Sequence, residues 1–367
     1  MDKVGETVLE IHLDALAHNY HYLKSKLKPE TKFLAVVKAF AYGSDMVTVA
    51  KKMVSLGVDY FAVAYVNEGV LLREGGINTP ILVLHPQPIN FELLIQHELE
   101  PSLYSPKILE QFLIVAKEKE LRDYPIHIKF NTGLNRLGFW ETDVDHISKQ
   151  LKNRTEIKIT AILSHLAASE DLDEKEFSKR QIETFRRISV ALTENLGYSP
   201  VRHMLNTSGI INYPEAQFEM VRSGIGLYGY GNSALEDENL RPVAQLKTII
   251  SQMHKIEPGE TVGYNRAFSS DAYRTTATLP LGHADGIGRQ YGNGKAHVLI
   301  QGKQAPIIGN VCMDMIMVDV TGIDCTEGDE VLVFGEANSA EDFASTGGTI
   351  SYEILTAISQ RVKRIVR

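Results

Sequence analysis

The spacing of apolar positions changes near residue 240. Before it, short apolar runs recur at residues 33–37, 60–64, 81–84, 101–103, 126–130, 157–163, 203–205 and 219–221. Most are β-branched or aromatic, the composition of strands buried on both faces. Amphipathic stretches separate them. One runs from 45 to 56, with Ser44 as N-cap and Gly57 just past the end. Another spans 106–120, with Ser105 before it and Pro106 in its first turn. A long third spans 174–196 and stops at Gly197. Eight strands alternating with helices predict a parallel (β/α)₈ barrel of the TIM type, with an open doubly wound sheet as the runner-up.

Beyond Asn239 the runs fall at 243–251, 275–281, 296–300, 305–308, 316–320 and 330–334, with little room for helices. Asn293-Gly294 and Gln301-Gly302 read as tight hairpin turns. This half is expected to be a mostly antiparallel β domain. A last helix is expected over 351–366, with basic residues complementing its negative end. The division is a barrel over 9–238 and a β domain over 239–367, with residues 1–8 pairing with the second. Gly231 to Arg241, polar and acidic, is the expected linker.

Composition narrows the function. The 367 residues carry a net charge of −8, which lacks the basic field of a nucleic-acid or anionic-membrane binder. Cys312 and Cys325 are the only cysteines, too few for a disulfide framework or a Cys-rich metal site. No apolar run is long enough to span a membrane, and residues 1–7 lack the core of a signal peptide. A cytoplasmic protein is expected.

The most informative segment is Phe33-Leu34-Ala35-Val36-Val37-Lys38-Ala39-Phe40-Ala41-Tyr42-Gly43. An apolar strand ends in a lysine, and barrels place their chemistry at the C-terminal ends of strands. A desolvated lysine has lowered basicity and can form a Schiff base with a carbonyl. A lysine merely emerging into solvent fits the same segment.

Val37-Lys38-Ala39-x-Ala41-Tyr42-Gly43 resembles the cofactor-lysine motif of bacterial alanine racemases, fold-type III enzymes that use pyridoxal 5′-phosphate (PLP). The resemblance continues in family order through Asn131-Thr132-Gly133-Leu134-Asn135-Arg136-Leu137-Gly138, Met220-Val221-Arg222-x-Gly224-Ile225, Val262-x-Tyr264, Asp285-Gly286, Cys312-Met313-Asp314 and Ser351-Tyr352-Glu353. It implies a two-base racemisation of L- and D-alanine, supplying D-alanine for peptidoglycan. Lys38 would hold PLP and act as one base, with Tyr264 as the other. A tyrosine of ordinary pKa near ~10 needs a helping neighbour for this, and His165 matches the family position that touches it. Arg222 would face the pyridine nitrogen. Tyr42, Asn206, Thr207, Gly224, Ile225 and Tyr352 would complete the cofactor site.

By the same resemblance, Arg136 and the backbone of Met313 would bind the substrate carboxylate. Lys129, carbamylated in many family members, would support Arg136. Cys312 and Asp314 would support Met313. The family's counterparts of Tyr264, Cys312 and Met313 come from a partner subunit, so a homodimer with composite sites is implied. No metal site is expected.

Gly224-Ile225-Gly226-Leu227-Tyr228-Gly229 has the form of a dinucleotide fingerprint, but no acidic residue lies about twenty positions on. These amides read instead as a phosphate turn. Phe40, Ser44-Asp45, His283 and Asn310 depart from the family's usual residues, the last two in its substrate-entry region. A broader amino-acid (serine) racemase is the enzymatic alternative, and a non-catalytic PLP-binding barrel protein the other.

Overall fold

The computed structural model describes residues 4–367. The chain opens with β1 (Val8–Ile11), which joins the terminal sheet rather than the barrel. Eight parallel strands then close on themselves: β2 (Lys32–Val36), β3 (Tyr60–Val63), β4 (Ile81–Val83), β5 (Glu100–Leu103), β6 (Tyr124–Lys129), β7 (Ile157–Leu163), β8 (Val201–His203) and β9 (Met220–Ser223). Closure runs through β2 and β9, from Lys32 beside Met220 to Ala35 beside Ser223. Side chains alternate along each strand. Leu34, Ala62, Leu82 and Met220 therefore pack together inside the barrel, apart from the larger core between strands and helices. This is the predicted TIM-type architecture, and the open sheet is excluded.

Local rules explain the helix ends. Met46–Ser55 is capped by Asp45, whose carboxylate accepts from Thr48 N at 2.7 Å, and not by Ser44 as expected. Ser44 is buried one residue too early to reach those amides. Ser105 caps Pro106–Glu118. Gly197 ends Lys175–Leu196 in the left-handed region, where glycine escapes the Cβ clash.

The second half adds β10 (Ala244–Ile249), β11 (Gln252–Ile256), β12 (Thr261–Val262), β13 (Phe268–Ser269), β14 (Arg274–Leu279), β15 (His297–Ile300), β16 (Lys303–Ile308), β17 (Ile316–Asp319), β18 (Glu330–Phe334) and β19 (Lys363–Val366). Nine strands form one sheet in the order β11-β14-β17-β16-β15-β18-β10-β1-β19, and β12 pairs with β13 alone. Every pairing is antiparallel except β1 with β19. Gln301-Gly302 is the two-residue hairpin joining β15 to β16, with φ of 49° and 76°. Asn293-Gly294 also adopts two positive φ values, but it follows a 3₁₀ turn and joins no hairpin.

Two expectations fail here. The final helix covers only Ser351–Ala357; Ile358 is extended, and the chain then becomes β19. β-Branched Val362, Ile365 and Val366 suit a strand, and β1 offers it an open edge. The terminal basic residues consequently do not neutralise a helix end. Arg361 pairs with Asp285 and Asp314, and Arg367 with Glu10. The strand β1, Val8–Ile11, lies wholly in the terminal sheet, so residues 9–11 belong with the second half. Of residues 1–8, expected to pair with the β domain, 1–3 lie outside the described residues. Val8 pairs with Lys247 and Lys363.

Candidate active site

Lys38 leaves β2 into an unusual turn. Ala39, Phe40, Ala41 and Tyr42 have φ of 53° to 54°, one turn of left-handed helix made without glycine. Each such residue costs roughly 1–2 kcal/mol. The turn is held from both ends. Glu68, unremarked in the sequence, accepts from the backbone N–H of Ala39 at 2.6 Å and from those of Ala64 and Tyr65. At the far end Gly43 carries φ of 80°, and a Cβ there would collide with the carbonyl of Leu355. Phe40, the departure within the motif, points outward and is 47% exposed.

The turn aims Lys38 into a cavity of about 650 Å³. Its walls come from the C-terminal ends of the strands: Lys38 after β2, Lys129 closing β6, His165 after β7, Asn206 and Thr207 after β8, and Arg222 with Gly224 and Ile225 at β9. Arg136 enters from the loop after β6, and Tyr352 from the helix Ser351–Ala357. His85 also lines it. Its place after β4 carries the same strand-end signal as Lys38.

One side of the cavity is cationic. Desolvation lowers the Lys38 amine, and Arg136 lowers it further against the opposing pull of Glu68. Lys129, 9% exposed, is pushed down to about 8 by burial and by Arg136, Arg222 and Lys38. Loss of solvent, then Arg222, Arg136, Lys129 and Lys38, hold His165 well below the usual imidazole range, so it is neutral. Arg222 is buried and has no carboxylate against it among the described residues. Nη1 donates to His203 Nδ1 (2.8 Å) and His203 O (2.9 Å). Nη2 donates to Ser164 O, Met204 O and His165 Nδ1.

The opposite side presents backbone amides and hydroxyls. After β9 the chain makes a 3₁₀ turn at Ile225–Tyr228, whose first amides have no acceptor within the turn. Side chains are excluded there: a Cβ on Gly224 would strike the Tyr42 hydroxyl, and one on Gly226 would strike Thr207. Thr207 Oγ1 accepts from Gly226 N and bonds Ser223 Oγ. Asn206 caps Thr207–Asn212, its side-chain oxygen accepting from Gly209 N. Tyr42 stacks on Tyr228 at 4.5 Å. Burial raises the Tyr42 phenol strongly and Tyr352 to about 12, so both remain donors.

Tyr264, Cys312, Met313 and Asp314 are not in this cavity. Tyr264 is 74% exposed and Met313 59% exposed, both on the β domain. They are nevertheless ordered by neighbours. Asn310 Nδ2 donates to Tyr264 O. His283 N and Ala284 N donate to the carbonyls of Cys312 and Met313, and Arg361 ties Asp314 to Asp285.

Two lysines and two arginines in a barrel mouth, beside a glycine turn, define an α/β-barrel enzyme with a cavity suited to small anionic molecules. The chain belongs to the alanine racemase family: the N-terminal domain of that family matches residues 11–232, and its C-terminal domain matches residues 243–366. An alanine racemase of Clostridium novyi is 38% identical, over 97% of this chain and 94% of that relative. The solved alanine racemase of Clostridium difficile 630 in complex with cycloserine is 33% identical, with a TM-score of 0.90, covering 100% of this chain and 96% of that one. That of Bartonella henselae, with covalently bound pyridoxal phosphate, is 30% identical, with a TM-score of 0.89, over 99% and 100% of the two chains.

Proposed function

We propose that this protein interconverts L- and D-alanine with PLP, supplying D-alanine for peptidoglycan. The observation that carries the reading is the convergence in one cavity of a desolvated lysine, a buried arginine without a carboxylate partner among the described residues, and a glycine turn closed over by the Tyr42 hydroxyl and Thr207. When bound, PLP withdraws electrons from the substrate's α-carbon and makes its proton acidic. Lys38 would hold the cofactor's aldehyde carbon, and its amine is placed to move the substrate's α-proton on one face. Tyr42, Thr207, Tyr352 and the amides of Gly224 and Ile225 bind the phosphate. Asn206 steadies that wall.

Arg222 can only donate, so it keeps the ring nitrogen free of a proton. Arg136 binds the substrate carboxylate. Tyr264 of the partner subunit supplies the opposite face, beside His165, with Cys312, Met313 and Asp314 of the partner subunit around it. Support for this homodimer is the incompleteness of the single-chain cavity and the exposure of Tyr264, Met313 and Met315 on the other domain. A cytoplasmic setting is consistent with two unpaired cysteines. No helix is long and apolar enough to cross a membrane among the described residues.

Deuterium exchange at Cα in D₂O, run with L-alanine, D-alanine and serine, tests the reading. Exchange and inversion of alanine are expected. Faster serine turnover would select the broader racemase, and no exchange with any of them would reject racemisation.

Lys129 is the proposed site of carbamylation. Its neutral amine, abundant above about pH 8, adds to CO₂ and releases a proton. The resulting anion is compensated by Arg136, Arg222 and Lys38. A carbamate signal from ¹³C-bicarbonate is expected in the wild type and absent in Lys129→Ala. The variant should raise KM for alanine about tenfold, the scale of one charge-assisted contact. An unchanged spectrum and KM would show that the lysine is unmodified.

A further inference from the structure

Four polar residues cross the interior of the barrel in a single file. Arg222 Nη1 lies 2.8 Å from His203 Nδ1. His203 Nε2 lies 3.2 Å from His127 Nδ1. His127 Nε2 lies 2.8 Å from Glu100 Oε2. Both imidazoles are fully buried, and Arg222 and Glu100 are 5% and 7% exposed. The file runs from β9 through β8 and β6 to β5, in an interior whose neighbouring layer is Leu34, Ala62, Leu82 and Met220. Buried polar groups of this kind must be matched donor to acceptor along their whole length.

The two ends fix the direction. A guanidinium has no acceptor, so His203 Nδ1 must accept and its proton must sit on Nε2. That N–H then donates to His127 Nδ1, which forces the His127 proton onto Nε2. The last N–H needs an acceptor, and the Glu100 carboxylate is one. Any other placement sets two hydrogens face to face. A protonated His127 would donate from Nδ1, push the His203 proton to Nδ1, and turn it against Arg222. Burial, then Arg222 and His127, hold His203 well below the ordinary imidazole range, in agreement with a neutral ring.

We infer that Glu100 and His127 are positioning residues for Arg222. The carboxylate at the far side of the barrel accepts the last N–H of the file and so locks, from the other end, the tautomers that Arg222 requires; His203 Nδ1 is then a permanent acceptor and the guanidinium is held at one angle beneath the cavity. Arg222 Nη2 donates to His165 Nδ1 at 3.2 Å, so the same device leaves the His165 proton on Nε2. His165 thereby becomes a donor on its remaining nitrogen.

The effect on turnover rests on the racemase reading, whereas the proton positions do not. Ring ¹⁵N spectra of the full-length protein, assigned with His127→Phe and His203→Gln, should show His127 and His203 neutral with the proton on Nε2. Glu100→Gln, which keeps the shape but removes the charge, should disturb the His203 signal. It should lower kcat about tenfold, the scale seen when outer partners of an oriented histidine are lost, while KM for alanine holds. His127→Phe should lower kcat at least as far, and the double variant should fall no further than His127→Phe alone. A His203 proton on Nδ1, an imidazolium at either ring, or single variants with wild-type kcat would overturn the assignment. If Glu100→Gln does not fold, the wild-type ring spectrum decides. If the wild type does not racemise, the functional reading falls and the spectra still decide the polarity of the file.

Discussion

Lys38→Ala is expected to remove the visible absorption of bound PLP and to cut racemisation by about 10⁴-fold or more, since it loses the covalent hold and a proton-transfer group together. The loss should not come from unfolding. Lys38 is half-buried, and Glu68, the carboxylate that favours its charge, already accepts three backbone N–H groups. An amine made less basic by desolvation and by Arg136 is a cost to the fold. The melting temperature of the variant should therefore match or exceed that of the wild type, a trade of stability for activity. Absorbance spectroscopy and thermal melts on both proteins check this. A wild type that stays colourless with PLP in excess would refute the cofactor assignment.

Tyr264→Phe has the second largest expected effect. The change deletes one oxygen from a side chain that is 74% exposed on the single chain, so folding and PLP absorption should be kept. A missing general acid–base typically costs about 10²–10⁴-fold. The two enantiomers have equal free energy, so kcat/KM for net inversion must fall equally in both directions. The asymmetry lies in exchange with solvent. The enantiomer whose α-hydrogen faces Lys38 should still exchange in D₂O without inverting. The other should scarcely exchange. Equal and modest loss of exchange from both would count against two bases on opposite faces.

Much of the barrel was legible because most of its strands are short, largely apolar runs with helices between them, although β5 (Glu-Pro-Ser-Leu) and β8 (Val-Arg-His) signal only weakly. Lys38 was visible as a charge ending such a run. β11 was not legible: Gln-Met-His-Lys-Ile is largely polar and sits at the sheet's edge. β19 was misread because arginines and lysines suit the end of a helix as well as a strand. Its identity depends on β1, more than three hundred residues away. Arg222 and Tyr264 drew their roles from resemblance alone. Spacing does not distinguish an arginine beneath a cofactor from one on the surface, and Tyr264 lies outside its own chain's cavity. Glu100 and His127 escaped notice because which strand residues face inward is set by barrel register.

The left-handed turn that carries Lys38 orders events in time. Its carbonyl at Gly43 accepts from Arg364 Nη2 at 2.8 Å, across 321 residues of sequence. The carbonyl of Leu355 closes over the same glycine. Synthesis proceeds from the N-terminus, so the lysine is made among the first residues and its support among the last. The eight strands of the barrel can all exist before Arg364 leaves the ribosome. A chain interrupted at residue 350 would possess the barrel and the lysine but not the clasp on the turn between them. Completion of the last strand is thus also the step that arms the first.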